Sequence, residues 1–455
     1  MKDRLALLAT LEDLDRRLRR SWSRLLPLPS SLDAYRRDWE RAFDGEAIPA
    51  THDALLLSAS SAHPLLVGDY HSLSRPQDRL GSLLGAINGG AAMGLILELL
   101  PMPLLLPARE ILNNPSLALV DGRSAAATYR RPLTALAKRG GMVAGAWIEG
   151  GVRRRDAAAA RLWKRLTRRY PKHHWTLFFG DWHLAPNHLP ECLRREGAQP
   201  MVLHQSPEPL WERRPSTPGE SFLRLGAEDW AWLHSPPLGN WIEALQDLPP
   251  TGSAEAIEIA EHLCEDLTES LALALGFAAP ESTPGIRGRK EWPEFLASLP
   301  AHARNAFQAD RPPKVAIYHP GSSQTWCPRP PSLNGLLESA AWALSAGNLA
   351  ASHSDWREES HRVAFRRLLP SLLNPFLIPC TEDEIALQLF GWTSTRGDFG
   401  GNPAERYLAV EALGHRAGAE IAHSPEMGLK GLREFLEEPE RFVPWTSMVA
   451  TIRAA

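Results

Sequence analysis

The sequence predicts an α/β protein with a mainly parallel sheet flanked by helices, followed by a mostly helical C-terminal region. Two observations support this prediction. Between residues 55 and 205, short apolar runs of strand length alternate with segments of helical periodicity, which is the pattern of βαβ units. After residue 254, apolar residues recur mainly at helical spacing. A chain of 455 residues is long enough for two or three domains of this kind.

The same patterns divide the chain into four parts. Residues 1–50 are expected to form a helical preface, because leucines recur there at helical spacing between basic residues. Residues 51–205 hold the alternating α/β pattern. Residues 206–253 are rich in Pro and Trp, so we expect a connection of loops and short helices. Residues 254–455 are expected to form a separate, mainly helical domain.

Composition and charge narrow the classes of function. Lys plus Arg total 50 and Asp plus Glu total 53, so the net charge of −3 does not favour a nucleic-acid partner. No run approaches the roughly 18 apolar residues of a membrane span, and the N-terminal segment lacks the apolar core of a secretory signal. We therefore expect a cytoplasmic protein, whose helical half could bind a protein partner or support dimerisation.

The strongest motif is a short phrase that occurs twice. HPLLVGDYH covers residues 63–71 and HWTLFFGDWH covers residues 174–183, and each is a strand-like run that ends in Gly-Asp-aromatic-His. Side chains alternate along an extended chain, so Asp69 should point the same way as His71, and Asp181 the same way as His183. The carboxyl ends of parallel strands share one edge of a sheet, where ligands bind. We therefore predict that the two pairs lie at that edge and converge if their strands meet in the sheet.

A further acidic residue, Glu98, lies inside the next apolar run, LILEL, where a carboxylate is costly to bury unless it is paired, hydrogen-bonded or metal-bound. Carboxylates and imidazoles together suit a divalent metal. If these side chains converge on one crevice at the sheet edge, His71, Glu98 and His183 could instead support metal-free acid–base catalysis. A plainer alternative is that each phrase is a turn whose Asp caps the next helix. The predicted metal ligands are Asp69, His71, Glu98, Asp181 and His183.

The order of these landmarks resembles a known family. After GDYH come LILELLPM, the segment YRRPLTALAKRG that begins at Tyr129, the strand MVAGAWI, a basic helix that begins at Arg154, and LFFGDWHLAPNHLPECL. Over about residues 55–205 this succession is similar to the ChaN-like haem-binding-uptake proteins of the Tiki/TraB/erythromycin-esterase superfamily. The first motif of that family carries Glu at the position of Asp69.

The resemblance implies a ChaN/EreA-like fold with His71, Glu98 and His183 in the functional crevice. It implies haem or metal binding, with haem or a divalent ion as cofactor and haem or a small molecule as ligand. Two alternatives stay open: a metal-dependent or His/Glu-based hydrolase (an esterase or a peptidase) on the same site, and a non-catalytic scaffold for a protein partner. Whether the chain is an enzyme therefore stays open as well. Tyr and His both ligate haem iron, so the candidate haem contacts are Tyr70, Tyr129 and His188.

Overall fold

The computed structural model describes residues 30–71, 74–87, 92–213, 220–235, 253–278, 280, 284–287, 292–298, 317–319, 324–328, 333–348, 356–373, 414, 417–418, 421–422, 427, 429–442 and 445–446. The described residues up to 235 form one compact unit, and those from 253 onward belong to a second.

The described part of the first unit is built on a sheet of nine strands. In chain order they are β1 (Ile48–Ala50), β2 (Leu65–Asp69), β3 (Ala92–Pro101), β4 (Leu105–Pro107), β5 (Met142–Trp147), β6 (His173–Gly180), β7 (Met201–Gln205), β8 (Ser221–Arg224) and β9 (Asp229–Leu233). Their spatial order is β1-β8-β9-β7-β2-β6-β3-β5-β4. The six strands from β9 to β5 are parallel, while β1, β8 and β4 pair antiparallel at the margins. The predicted α/β class with a mainly parallel sheet is confirmed.

Helices cover both faces of this sheet. They are α1 (Ser30–Arg41), α2 (His52–Ser61), α3 (Ser74–Ala86), α4 (Ala108–Leu112), α5 (Ala125–Thr128), α6 (Arg130–Ala137), α7 (Val152–Arg169) and α8 (Leu189–Arg195). Because successive strand residues point to opposite faces, Val67 and Phe178 pack with α2, α3 and α6, while Leu66 and Phe179 pack with α7 and α8. The buried two-sided sheet explains why its strands are nearly continuous apolar runs.

The sheet continues into the range 206–253, where we expected loops and short helices. Strand β9 pairs parallel with β7, and β8 pairs antiparallel with β9. The segment DWAWL alternates across the sheet: Trp230 and Trp232 are buried in the core on one face, and Ala231 and Leu233 in the core on the other. Tryptophan density in this range therefore reflects a two-sided strand. Residues 214–219 and 236–252 lie outside the described residues.

The expected N-terminal preface is only partly described, since residues 1–29 lie outside the described chain. Helix α1 lies within the expected helical preface, and the short strand β1 follows it. Trp39 and Phe43 are buried in a core cluster with Leu223 of β8 and Leu233 of β9. This packing fixes α1 against the first unit and so fixes the side chains that it contributes to the site described below.

The second unit contains a helical core. Its described helices are α9 (Ser253–Leu275), α10 (Trp292–Ser298), α11 (Leu333–Asn348), α12 (Trp356–Leu373) and α13 (Leu429–Glu437). A small sheet of order β10-β12-β11 accompanies them, formed by β10 (Pro284–Arg287), β11 (Ile317–His319) and β12 (Gln324–Pro328). Among the helices that the structure describes in either unit, none combines the length and the apolar character that crossing a membrane requires.

Candidate functional site

The two copies of the repeated phrase lie side by side in the sheet. Strands β2 and β6 are parallel neighbours, with Asp69 opposite Gly180 in the register. Strand β3 flanks β6 on its other side and carries Glu98. The carboxyl ends of three adjacent strands therefore bring His71, Glu98 and His183 together, as the sequence predicts.

Glu98 is the centre of this group, and its side chain is only 3% exposed. Its Oε2 accepts a hydrogen bond from the backbone N–H of Gly180 at 2.7 Å and lies 3.4 Å from His71 Nε2. Its Oε1 accepts one from Arg155 Nη1 at 2.8 Å and lies 3.2 Å from His183 Nε2. One buried carboxylate thus bridges two imidazoles, and this pairing accounts for a glutamate inside an apolar strand. Because both imidazoles contact the same carboxylate, His71 and His183 lie within the roughly 12 Å that one ion could bridge.

His71 is the more accessible of the two imidazoles. Its side chain is 33% exposed, whereas the side chain of Asp69, which holds its Nδ1 at 3.0 Å, is 1% exposed. The other carboxylate oxygen of Asp69, Oδ1, is buried and has no hydrogen-bond partner within the described chain. The alternation argument therefore holds for the first copy of the phrase.

His183 is held by residues that the sequence did not identify. Its Nδ1 lies 2.5 Å from Oδ1 of Asp156 in the first turns of α7, and 2.9 Å from the hydroxyl of Tyr35 on α1. The Tyr35 hydroxyl donates to the second oxygen of Asp156 at 2.8 Å. Asp156 had one visible signal, because it is the single acidic residue in the basic sequence of α7. No pattern in the sequence marked Tyr35.

Asp181 does not join this group. Residues Asp181–Leu184 form a 3₁₀ turn, so the alternation expected of an extended chain fails in the second copy. The Asp181 carboxylate instead accepts a hydrogen bond from Trp39 Nε1 at 2.7 Å and lies 3.0 Å from His204 Nδ1. All three side chains are buried. The predicted grouping of Asp181 with the other candidate metal ligands is corrected accordingly.

The candidate haem contacts are dispersed. Tyr129 is buried against Phe178 on the face that packs with α3 and α6. His188 stacks on Tyr35 at 3.6 Å, and its ring nitrogens contact the carbonyl of Trp182 and the carboxylate of Asp38. Leu189, next to His188, packs on the opposite face of the sheet from Tyr129. Tyr70 is half-buried beside β2. These contacts do not fit a shared axial position on one haem iron.

The contacts between Glu98 and the two histidines favour the charged form of all three side chains. Burial alone would lower the pKa of His71, but attraction to Glu98 and the contact with Asp69 outweigh it and raise that pKa to about 10. The same opposition, with Glu98 and Asp156 as the acids, raises the pKa of His183 to about 9. Burial would raise the pKa of Glu98, but the two histidines hold it well below its usual range. At neutral pH both imidazoles are therefore protonated and Glu98 is ionised.

The donor atoms of this group bear on whether it could hold a divalent ion. Histidines whose Nδ1 atoms rest on carboxylates have the orientation that metal-binding histidines use. However, each Glu98 oxygen already accepts a hydrogen bond, from Arg155 or from the Gly180 amide, and the arginine places a positive charge beside the site. No group of three or more His, Cys, Asp or Glu side chains in the described ranges could hold a metal ion. As arranged, the residues do not fit a resident ion.

Comparisons with known proteins leave the family open. No family model matches the chain, and no curated protein matches it in sequence. Among solved structures, the type III effector HopBA1 shows a likeness with 11% sequence identity and a TM-score of 0.27, over 36% of this chain and 87% of that chain. A likeness of this extent carries no functional argument. The resemblance to the ChaN-like proteins thus stays an expectation from the sequence.

Proposed function

We propose that the first unit is a hydrolase of small esters or peptides that uses His71 as its acid–base residue and no resident metal. The observation that carries this proposal is the Glu98 bridge: one buried carboxylate contacts two imidazoles, and each imidazole also rests on its own acid, Asp69 or Asp156. Of the two, His71 is the one with an exposed side chain, so it is the imidazole that a substrate could contact.

The state of charge suggests the direction of proton transfer. A protonated His71 can donate its proton to the leaving group as the scissile bond breaks. The water that adds to the acyl carbon supplies a hydroxyl to the acid product and returns one proton to His71, so the residue ends the cycle as it began. Asp69 and Glu98 orient the ring through its two nitrogens and stabilise its charge. His183 then acts as a positioning residue that keeps Glu98 in place.

Haem or metal binding, which the resemblance implies, is less well supported by the geometry. The candidate haem contacts are dispersed, and the oxygens of Glu98 are already engaged. Among the described residues of the helical half, no specific contact supports a scaffold role. The experiment below can also give results that favour haem or metal binding.

The test is a panel of p-nitrophenyl esters and peptide anilides. They are assayed with the wild-type protein and with His71→Ala, both after treatment with a metal chelator. General acid–base catalysis typically contributes 10²–10⁴-fold, so we expect the rate of the variant to fall by roughly that factor. The matched control is His173→Ala, because this half-buried histidine lies at the amino end of β6, on the opposite edge of the sheet. It should retain the wild-type rate.

Three results would count against the proposal. Activity that survives in His71→Ala would remove the assigned acid. Activity that depends on an added divalent ion would favour the metal-dependent hydrolase. A Soret band on haem titration, lost in a His71→Ala or His183→Ala variant, would favour haem binding.

A further inference from the structure

Arg155 carries more hydrogen-bonding capacity than its contact with Glu98 uses. It lies in the first turns of α7, and its guanidinium packs over the half-buried ring of Trp147 with its carbon 4.6 Å from the ring centroid. This contact with the ring restrains the guanidinium. Nη1 donates to Glu98 Oε1 at 2.8 Å, and the side chain as a whole is 16% exposed.

Within the described part of the chain, the opposite edge of the guanidinium has no hydrogen-bond acceptor. Nε is buried and has no hydrogen-bond acceptor among the described residues, and Nη2 has none among them either. In arginine, Nε and Nη2 form the edge that grips a carboxylate or a phosphate with two parallel hydrogen bonds. A buried donor without an acceptor costs free energy, so this edge favours a ligand that supplies one.

Glu98 cannot fill that need. Its Oε1 is shared by Arg155 and His183, and its Oε2 by His71 and the Gly180 amide. Four donors therefore converge on one carboxylate. These four donors take up the acceptor sites of Glu98, so the Nε/Nη2 edge of Arg155 needs an acceptor from another group.

We propose that the Nε/Nη2 edge of Arg155 binds an anionic group of the substrate, a carboxylate or a phosphate. The substrate class is then an ester or amide that carries a negative charge near the scissile bond. Trp147 packs against the guanidinium, and Glu98 accepts a hydrogen bond from its Nη1. This inference rests on the proposed hydrolase function for its catalytic meaning, but anion binding can be measured without turnover.

The first experiment measures binding of inorganic phosphate and of succinate to the full-length protein by calorimetry. We expect Arg155→Gln to weaken binding of at least one of these anions by about tenfold or more, because a charge-assisted, paired contact is lost. Arg155→Lys keeps the charge but not the fork, and should fall between the two. The control is Arg161→Gln, which removes an exposed arginine from the same helix and should bind like the wild type. Thermal melts establish that each variant is folded at the temperature used.

The second experiment compares two esters with the same leaving group, mono-p-nitrophenyl succinate and p-nitrophenyl butyrate. The wild type should favour the charged ester in kcat/KM, and Arg155→Gln should reduce that preference by about tenfold or more. If neither ester is hydrolysed but Arg155-dependent anion binding persists, the anion site stands and the hydrolase proposal fails. If neither anion binds the wild type, or if Arg155→Gln binds both as the wild type does, the anion site is overturned.

Discussion

The two copies of the Gly-Asp-aromatic-His phrase end in different environments. In the first copy, Asp69 orients His71, and the imidazole is one-third exposed. In the second copy, Asp181 turns away from His183 and meets His204 and Trp39 in the protein interior. The same residue types thus make an open acid–imidazole pair, Asp69 and His71, at one strand end. At the next strand end they make a closed pair, Asp181 and His204. We infer that the open pair serves the reaction and the closed pair holds α1 on the sheet.

Exposure and backbone geometry distinguish the two pairs. The extended end of β2 keeps Asp69 and His71 on one side, whereas the 3₁₀ turn after β6 separates Asp181 from His183. His183 then takes its acid, Asp156, from α7. Both arrangements meet the requirement that a buried carboxylate be paired, so burial alone does not distinguish them.

The largest effect is expected from Glu98→Gln, which preserves shape but removes the charge shared by two imidazoles and Arg155. Breaking a buried ion pair from one side costs about 3–5 kcal/mol, so unfolding in urea should shift by that order, and ester hydrolysis should fall to background. Glu191→Gln is the control, because its Arg194 and Arg195 partners lie on the surface and should matter by less than about 1 kcal/mol. Equal stability losses in the two variants would contradict the central role of Glu98.

A slightly smaller loss of stability is expected from Gly68→Ala, because Gly68 lies next to Asp181 of the closed pair. A methyl group at Gly68 would lie 1.7 Å from Oδ1 of Asp181 and 2.8 Å from its Cγ, so the buried carboxylate would have to move. Overpacking of this kind costs about 1–3 kcal/mol or more. Gly85→Ala, on the exposed side of α3 with open space around it, should instead stabilise by up to about 1 kcal/mol. Calorimetric melting of both variants checks the contrast, and matching melting temperatures would exclude the clash.

The stability of the protein should also depend on pH. The pKa values of His71 and His183 are raised in the folded chain to about 10 and about 9, so their contribution to stability is complete below the unfolded value near 6.5 and is lost as pH rises through 9 and 10. The free energy of unfolding should therefore decline between about pH 7 and pH 10. In Glu98→Gln the decline should be shallower, because the largest source of attraction is gone. A profile that is flat or rising over this range in the wild type would disprove the assigned charges.

Much of this arrangement was predictable from residues near strand ends. The apolar runs before Asp69 and His183 and the isolated Glu98 indicated both the parallel sheet and the acids and imidazoles at its edge. Asp156 and Tyr35 could not be assigned by that reasoning, because they reach the site from helices in another layer. The turn at Asp181 could not be anticipated from alternation, which presumes an extended backbone. Strands β8 and β9 were missed because Pro and Trp dominate their surroundings, although DWAWL is compatible with a strand buried on both faces.

The comparison between the open and the closed pair is tested most directly by one measurement: the rate of ester hydrolysis per folded molecule in His71→Ala and in His204→Ala, well below both melting temperatures. Our account predicts that His71→Ala loses about 10²-fold or more of the rate per folded molecule, in addition to the stability that its contacts with Asp69 and Glu98 contribute. It predicts that His204→Ala melts earlier but hydrolyses at nearly the wild-type rate. The opposite result, in which loss of His204 abolishes hydrolysis and loss of His71 does not, would contradict it.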